Sequence, residues 1–281
     1  MRRPTQGRAS LGLGVTPKAS HTSPVPTRWW GGGGGELKVR PTLLARWVSP
    51  IAQLSFLPLG VPVIHGTNAA SQVDIAVVNC DTASAIRSLM AYVEDPTKIA
   101  ALNFANAYNV GGRNKTGASA QEEDLCRVMP MLYSQLKKLR YPLAGSSAHF
   151  TTTWLCRSPQ YELVKPLKVN VISASMPDLS KRSEPLRKRV DSDEWRLAVT
   201  LRIRTVLHAA LYMHMEHLVL GAFGCGAFQN PAKEVARIFH DELRSAEFVG
   251  AFSSVVFAIV EHHIQDDGNF HTFAREFGCD I

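Results

Sequence analysis

Three features of the sequence predict an α/β domain, a mixed, mostly parallel sheet sandwiched by helices. From about residue 70, short aliphatic or β-branched runs alternate with longer segments whose apolar residues recur every three or four positions. Two glycine-bearing loops each leave a strand-like run and lead into a helix-like one. Hydrophobic residues make up 45% of the 281, enough for a sizeable core, which excludes disorder throughout.

Taken in order, residues 75–78 read as a buried strand. Asp81 can cap the helix that follows, with Ala83, Ile86, Leu89 and Met90 turned inward. Residues 99–104 form the next strand. A helix over residues 121–139 lines up Leu125, Val128, Leu132, Leu136 and Leu139, and Pro130, which lacks an N–H, should kink or split it. Residues 143–168 show little periodicity and read as loop with one edge strand. Beyond them come a strand at 169–174, a long helix at 192–215, a strand at 218–222, a helix from Pro231 and a late strand at 255–260. No internal repeat is visible.

The net charge is +7, but residues 1–35 carry Arg2, Arg3, Arg8, Lys18 and Arg28 and no acid. The remainder is nearly neutral, which gives little support for a nucleic-acid groove, so any link to nucleic acid is expected to be indirect. The tail is rich in Ser, Thr, Pro and Gly, ends in Gly31 to Gly35, and is expected to be a disordered basic extension ahead of a domain over 36–281. Its Arg-rich character also fits an organelle leader, whereas a secretory apolar core is missing. Apolar runs such as 255–260 are far shorter than the roughly 18 residues that cross a membrane, so no membrane partner is expected. Five scattered cysteines without a CxxC pair point to a reduced, intracellular setting, cytoplasmic or nuclear, and to no zinc site. His214 and His217 can share a helix face, but without a third ligand they read as a solvated or partly buried pair.

Two segments carry chemistry. Asn103 to Asn106, then Gly111-Gly112-Arg113, then Gln121-Glu122-Glu123 place a loop at a strand's carboxyl end, where ligands bind in open α/β sheets. Adjacent glycines let backbone N–H groups approach a ligand. Neighbouring carboxylates repel, which favours a proton on one of them, as acid catalysis needs. The competing reading is that Glu122, Glu123 and Asp124 simply answer a helix dipole. The second segment, Leu218 to Pro231, runs from strand through Gly224-Cys225-Gly226 into a helix, with Asn230 as expected N-cap and Pro231 at the first helical position. Such a helix start suits a phosphate. Phe228 in that turn can stack on a sugar or base, or plug the core.

Together, residues 102–107, Gly111-Gly112, Gly117-Ala118, 120–127, Leu132-Tyr133, 218–228 with Asn230, and 255–259 resemble the microbial-type poly(ADP-ribose) glycohydrolases. That family has a macrodomain-related core and a glycine run followed, after a short spacer, by Gln-Glu-Glu. The resemblance spans residues 73–277, patchily between 140 and 190. It implies a hydrolase of the ribose–ribose O-glycosidic bond of poly(ADP-ribose) that releases ADP-ribose and needs no cofactor or metal, with poly(ADP-ribose) or ADP-ribosylated proteins as partners. Carried over by position, it implies that Glu123 is the acid and then the base, and that Glu122 orients ribose hydroxyls. Gln121 supports the loop and Asn106 bonds the terminal ribose. Gly111 and Gly112 wrap the diphosphate from one side, and Gly224, Cys225, Gly226 and Phe228 close from the other.

Three departures stand out. Arg113 occupies the place of the family's third glycine, where its side chain either remodels the loop or pairs with the diphosphate. Pro130 interrupts the helix behind the acids, and the family's N-terminal helical region is faint over residues 40–60. The alternative functions are therefore a weakened or inactive ADP-ribose-binding macrodomain and a hydrolase of mono-ADP-ribosyl adducts.

Overall fold

The computed structural model describes residues 63–65, 73–180, 192–261 and 268–279, all within the compact unit Ala52–Ile281. The basic tail at 1–35 and the region at 40–60 lie outside the described residues. The strands are β1 (Val63–His65), β2 (Asp74–Val78), β3 (Ile99–Phe104), β4 (His149–Arg157), β5 (Leu163–Ala174), β6 (His217–Leu220) and β7 (Ser254–Ala258). They form one sheet in the order β1-β2-β7-β6-β3-β5-β4. From β2 to β5 neighbouring strands run parallel, and β1 and β4 close the edges antiparallel.

Alternation along each strand sorts its side chains onto two cores. Ile99 and Ala101 of β3, Val169 and Val171 of β5 and Val219 of β6 face α1 (Thr82–Tyr92), α2 (Gln121–Val128) and α3 (Pro130–Leu136). Ala100, Leu102, Ile172, Leu218, Leu220, Val255 and Phe257 face α4 (Asp193–Tyr212), α5 (Ala232–Leu243) and α6 (Asn269–Glu276). The expected elements are there with small shifts at their ends. Asp81 caps α1, its carboxylate accepting the Ser84 N–H at 2.9 Å. Pro130 splits the expected long helix into α2 and α3, with Met129 at φ −119°, ψ 75° between them.

Four expectations need correction. Residues 143–168 are not mostly loop: β4 and the outer half of β5 form a hairpin that continues to Leu163. Its apolar alternation is weak because β4 is an edge strand with much of its surface in solvent. β1, near residue 64, precedes the point at which the pattern became readable. His214 and His217 do not share a helix face, since His214 sits in a turn at φ 56° and His217 opens β6, its Nδ1 2.8 Å from Ser254 Oγ. Asn230 is not an N-cap: Pro231 takes that position, and Asn230 turns inward.

Candidate active site

The apolar row of β3 that faces α2 ends at Asn103. Asn103 and its register partner Ser173 are wholly buried, and Asn103 Nδ2 donates to Ser173 Oγ at 3.0 Å. The chain then loops through residues 105–120 and enters α2 at Gln121, whose amide substitutes for a strand neighbour. Its Oε1 accepts the Phe104 N–H at 2.9 Å, and its Nε2 donates to the Leu102 carbonyl at 2.7 Å. Gln121 thereby ties the start of α2 to the end of β3.

The next two residues carry the acid pair. Glu122 and Glu123 are only 3% and 7% exposed. Glu122 accepts two backbone N–H groups, from Asn106 at 2.8 Å and Gly111 at 3.2 Å, one on each oxygen. Glu123 Oε1 accepts the Arg113 N–H at 2.8 Å, and its Oε2 has no partner among the described residues. A helix dipole accounts for acids in a first turn. It does not account for carboxylates turned away from their own helix and onto the 105–113 loop.

Burial pushes the Glu122 carboxyl up to about 7; the N–H of Asn106, the Asn103 side chain and the N–H of Gly111 oppose the shift, and the neighbouring Glu123 adds to it. Three thiols are inert by the same physics. Burial holds Cys80 and Cys126 at about 12 and drives Cys225 up as well, so none supplies a thiolate near neutrality. No grouping of His, Cys, Asp or Glu suited to a metal occurs among the described residues.

Gly112 is required by contact as well as by conformation. At φ +58°, a Cβ there would lie 2.3 Å from Glu123 Oε1. Arg113, by contrast, sits at φ −112°, which any L-residue adopts, so its backbone delivers an N–H to Glu123 without a glycine. Asn106 Oδ1 accepts the N–H groups of Tyr108 and Asn109 at 3.0 and 2.9 Å, and its amide NH2 has no partner among the described residues.

The second segment leaves β6, the strand beside β3. The ring of Phe223 lies 5.4 Å from that of Phe104, and Gly221 permits the approach, since a Cβ there would sit 2.9 Å from Phe104 Cζ. The two loops therefore emerge side by side. Asn230, 3% exposed, fixes the turn: its Nδ2 donates to the carbonyls of Pro177 at 2.8 Å and Gly224 at 2.9 Å, and its Oδ1 accepts Trp195 Nε1–H at 3.1 Å. Gly224 stands at φ +76° with Met176 packed against it. The N–H groups of Gly226, Ala227 and Phe228 have no acceptor among the described residues. Phe228 is half-buried against the larger core, and its carbonyl accepts the Leu179 N–H at 2.8 Å. The unbonded donors of this segment are thus those of the turn. The first turn of α5 contributes Glu234, paired with Arg196 at 2.9 Å.

Sequence reasoning missed several of these parts. Met176, Pro177 and Leu179 bring a third loop, from β5, against the turn, and Trp195 anchors it from α4. The Tyr141 hydroxyl has no partner among the described residues, and burial, with the nearby Glu122 and Cys126 adding to it, raises its pKa. Only a polar residue ending an apolar strand row, as Asn103 and Ser173 do, was a readable signal.

The catalytic-domain model of microbial-type poly(ADP-ribose) glycohydrolase matches residues 59–159, which include the acid pair and its loop. No curated protein matches the chain. Among solved structures, the poly(ADP-ribose) glycohydrolase of Deinococcus radiodurans in complex with ADP-ribose is 32% identical over 74% of this chain and 86% of that one, with a TM-score of 0.64. This chain belongs to the microbial-type poly(ADP-ribose) glycohydrolase family. The glycohydrolase of Thermomonospora curvata is 29% identical over 75% of this chain and 78% of that one, with a TM-score of 0.62. The same enzyme bound to the inhibitor ADP-HPD is 30% identical over 72% and 78%, with a TM-score of 0.60. The sheet and its flanking helices are the macrodomain-like fold of these glycohydrolases.

Proposed function

We infer that the chain is a poly(ADP-ribose) glycohydrolase, a glycosidase that cleaves the ribose–ribose O-glycosidic bond and releases ADP-ribose. The observation that carries the assignment of its chemistry is the unequal bonding of the acid pair. Both oxygens of Glu122 are committed to loop N–H groups, whereas Glu123 keeps one oxygen without a partner. Glu123 is thus the group able to hand a proton to the departing ribose oxygen, and its carboxylate then takes a proton from the water that attacks the oxocarbenium-like carbon. Glu122, fixed beneath the loop, accepts hydrogen bonds from ribose hydroxyls through its remaining lone pairs.

This reading sets the terminal diphosphate between Gly111 and Gly112, whose own N–H groups are spent on Glu122 and the Asn109 carbonyl so that they approach it by shape, and the N–H groups of Gly226 to Phe228, which have no acceptor among the described residues and suit phosphate oxygens. Phe228 lines that side, and Cys225 acts by shape alone. ADP-ribosylated proteins are the partners this reading supplies, and the free cysteines suit action in a reduced, intracellular compartment.

The test is Glu123→Gln, which keeps the shape and the Arg113 N–H acceptor and removes the proton. ADP-ribose release from auto-modified polymerase should fall by roughly 1,000-fold or more, within the range that such groups contribute together with substrate orientation. The rise in Tm that ADP-ribose produces should persist. Equal release by wild type and variant would remove Glu123 from the reaction.

A further inference from the structure

The acids ride on a short helix whose own start does little to fix it. α2 has 8 residues and opens at Ala120, which offers no side-chain cap. A Cβ on Gly117, at φ +80°, would meet nothing within 4 Å, so nothing packs on the turn just ahead of that start. Residues 117–119 make one hydrogen bond among the described residues, in which Arg127 Nη2 donates to the Ala118 carbonyl. The donor comes from the far end of the same helix.

Asp124 and Arg127 stand three positions apart, hence on one side of α2, and the side chain that meets them comes from another element. Tyr161, in the turn between β4 and β5, donates its hydroxyl to Asp124 Oδ1 at 2.7 Å, a link between residues 37 apart in the chain. That bond, with burial adding to it, raises the Tyr161 pKa, and Arg127 beside the hydroxyl opposes the shift. The backbone that aims this side chain is strained: Tyr161 sits at φ 64°, the left-handed region that a bulky residue rarely enters. It is held there from both sides, by its own N–H on the Ser158 carbonyl at 2.8 Å and by Arg157 Nη1 on its carbonyl at 2.8 Å.

The segment ahead of β4 grips the other end of the same loop. Leu143 donates its N–H to the Ala107 carbonyl at 2.8 Å, and β4 is seated on α3 by Gln135 Nε2, which donates to the Thr152 carbonyl at 2.9 Å. Both ends of the loop that delivers the Asn106, Gly111 and Arg113 N–H groups to the acids are therefore tied to the chain flanking β4.

Resting on the glycohydrolase reading above, we propose that Tyr161 and Arg127 are positioning residues for Glu123. Tyr161 through Asp124, and Arg127 through the Ala118 carbonyl, fix the junction of the loop with α2, so that the hairpin of β4 and β5 braces the acid pair from outside. The brace sets where the Glu123 carboxylate stands and takes no part in holding the substrate.

The experiment measures ADP-ribose release from poly(ADP-ribose), and amide hydrogen exchange, in the full chain and in Tyr161→Phe, Arg127→Met, Asp124→Ala, Asp124→Asn and the double variant Tyr161→Phe with Asp124→Ala. Tyr161→Phe and Arg127→Met should each lower kcat about tenfold and leave KM within about twofold, because a small displacement of a reacting group slows the chemical step without removing a substrate contact. Exchange over residues 106–113 should quicken by about tenfold while that of β3 stays as it is. The double variant should be no slower than Asp124→Ala, since the two side chains act as one link. Asp124→Asn, which keeps an acceptor for the hydroxyl, should regain most of the rate lost in Asp124→Ala. Unchanged kcat and exchange in Tyr161→Phe or in Arg127→Met, a rise in KM at constant kcat, or losses that add in full in the double variant each overturn the brace. If the parent chain releases no ADP-ribose, the glycohydrolase reading has failed, and the exchange comparison then decides the brace by itself.

Discussion

Glu123 is kept in place from two directions, by the Arg113 N–H at 2.8 Å and by the missing side chain of Gly112, where a Cβ would lie 2.3 Å from its Oε1. Gly112→Ala therefore acts on the chemistry more than on the fold. Backbone strain at φ +58° costs about 1 kcal/mol, or roughly 2–4 °C in Tm for a domain of this size. The displaced carboxylate should lower kcat by about 100-fold or more, since a misplacement near 1 Å has that effect. Gly226→Ala, whose Cβ would meet nothing within 4 Å, is the control and should leave Tm unchanged. An unchanged kcat in Gly112→Ala would mean that Glu123 tolerates movement. The glycines and the acids were legible as residue types. Which acid keeps a free oxygen was not, because that depends on which N–H groups of a loop ten or more residues away turn toward it.

The segments differ in how much of their role they carry locally. β3, α1 and the break at Pro130 follow from periodicity and from proline's missing N–H, and all three were readable. The turn after β6 was readable as a glycine turn, but Asn230 was expected to cap α5. Instead it joins its own loop, the loop after β5 and α4 through the Gly224 and Pro177 carbonyls and Trp195. Asn230→Ala would leave the Trp195 ring N–H and the Pro177 carbonyl without the partner each has here, while the Gly224 carbonyl keeps the backbone N–H of residue 230. The expected cost is about 2–4 kcal/mol, read as a lower urea midpoint at unchanged m-value. The ADP-ribose-dependent rise in Tm should shrink with it, because the turn N–H groups lose their frame. A cap residue would cost about 1 kcal/mol and leave ligand binding intact. The hairpin of β4 and β5 was illegible for the opposite reason, since an edge strand half in solvent shows no apolar alternation to read.

The whole molecule bears the cost of burying its acid pair. In the unfolded chain Glu122 titrates near 4.5, and in the folded protein near 7. Below 4.5 both states hold the proton and folding carries no penalty from this group; between 4.5 and 7 only the folded state holds it, so stability is lost as pH rises, and above 7 the loss is complete. The loss is on the order of 3 kcal/mol. Urea unfolding at pH 5 and pH 8 should show it in wild type, and Glu122→Gln should abolish that part of the slope; the same slope in both proteins would locate the titration elsewhere. By itself the sequence determined the fold class, the order of most strands and helices, and the residue types of the site, because apolar period, proline, glycine and neighbouring acids act over a few residues. Only the tertiary structure decided that β3 lies between β6 and β5, that Asn230 faces inward and that Glu123 has one oxygen without a partner among the described residues. Those facts depend on which chain segments meet across the sheet, and a contact between distant segments leaves no local pattern in either one.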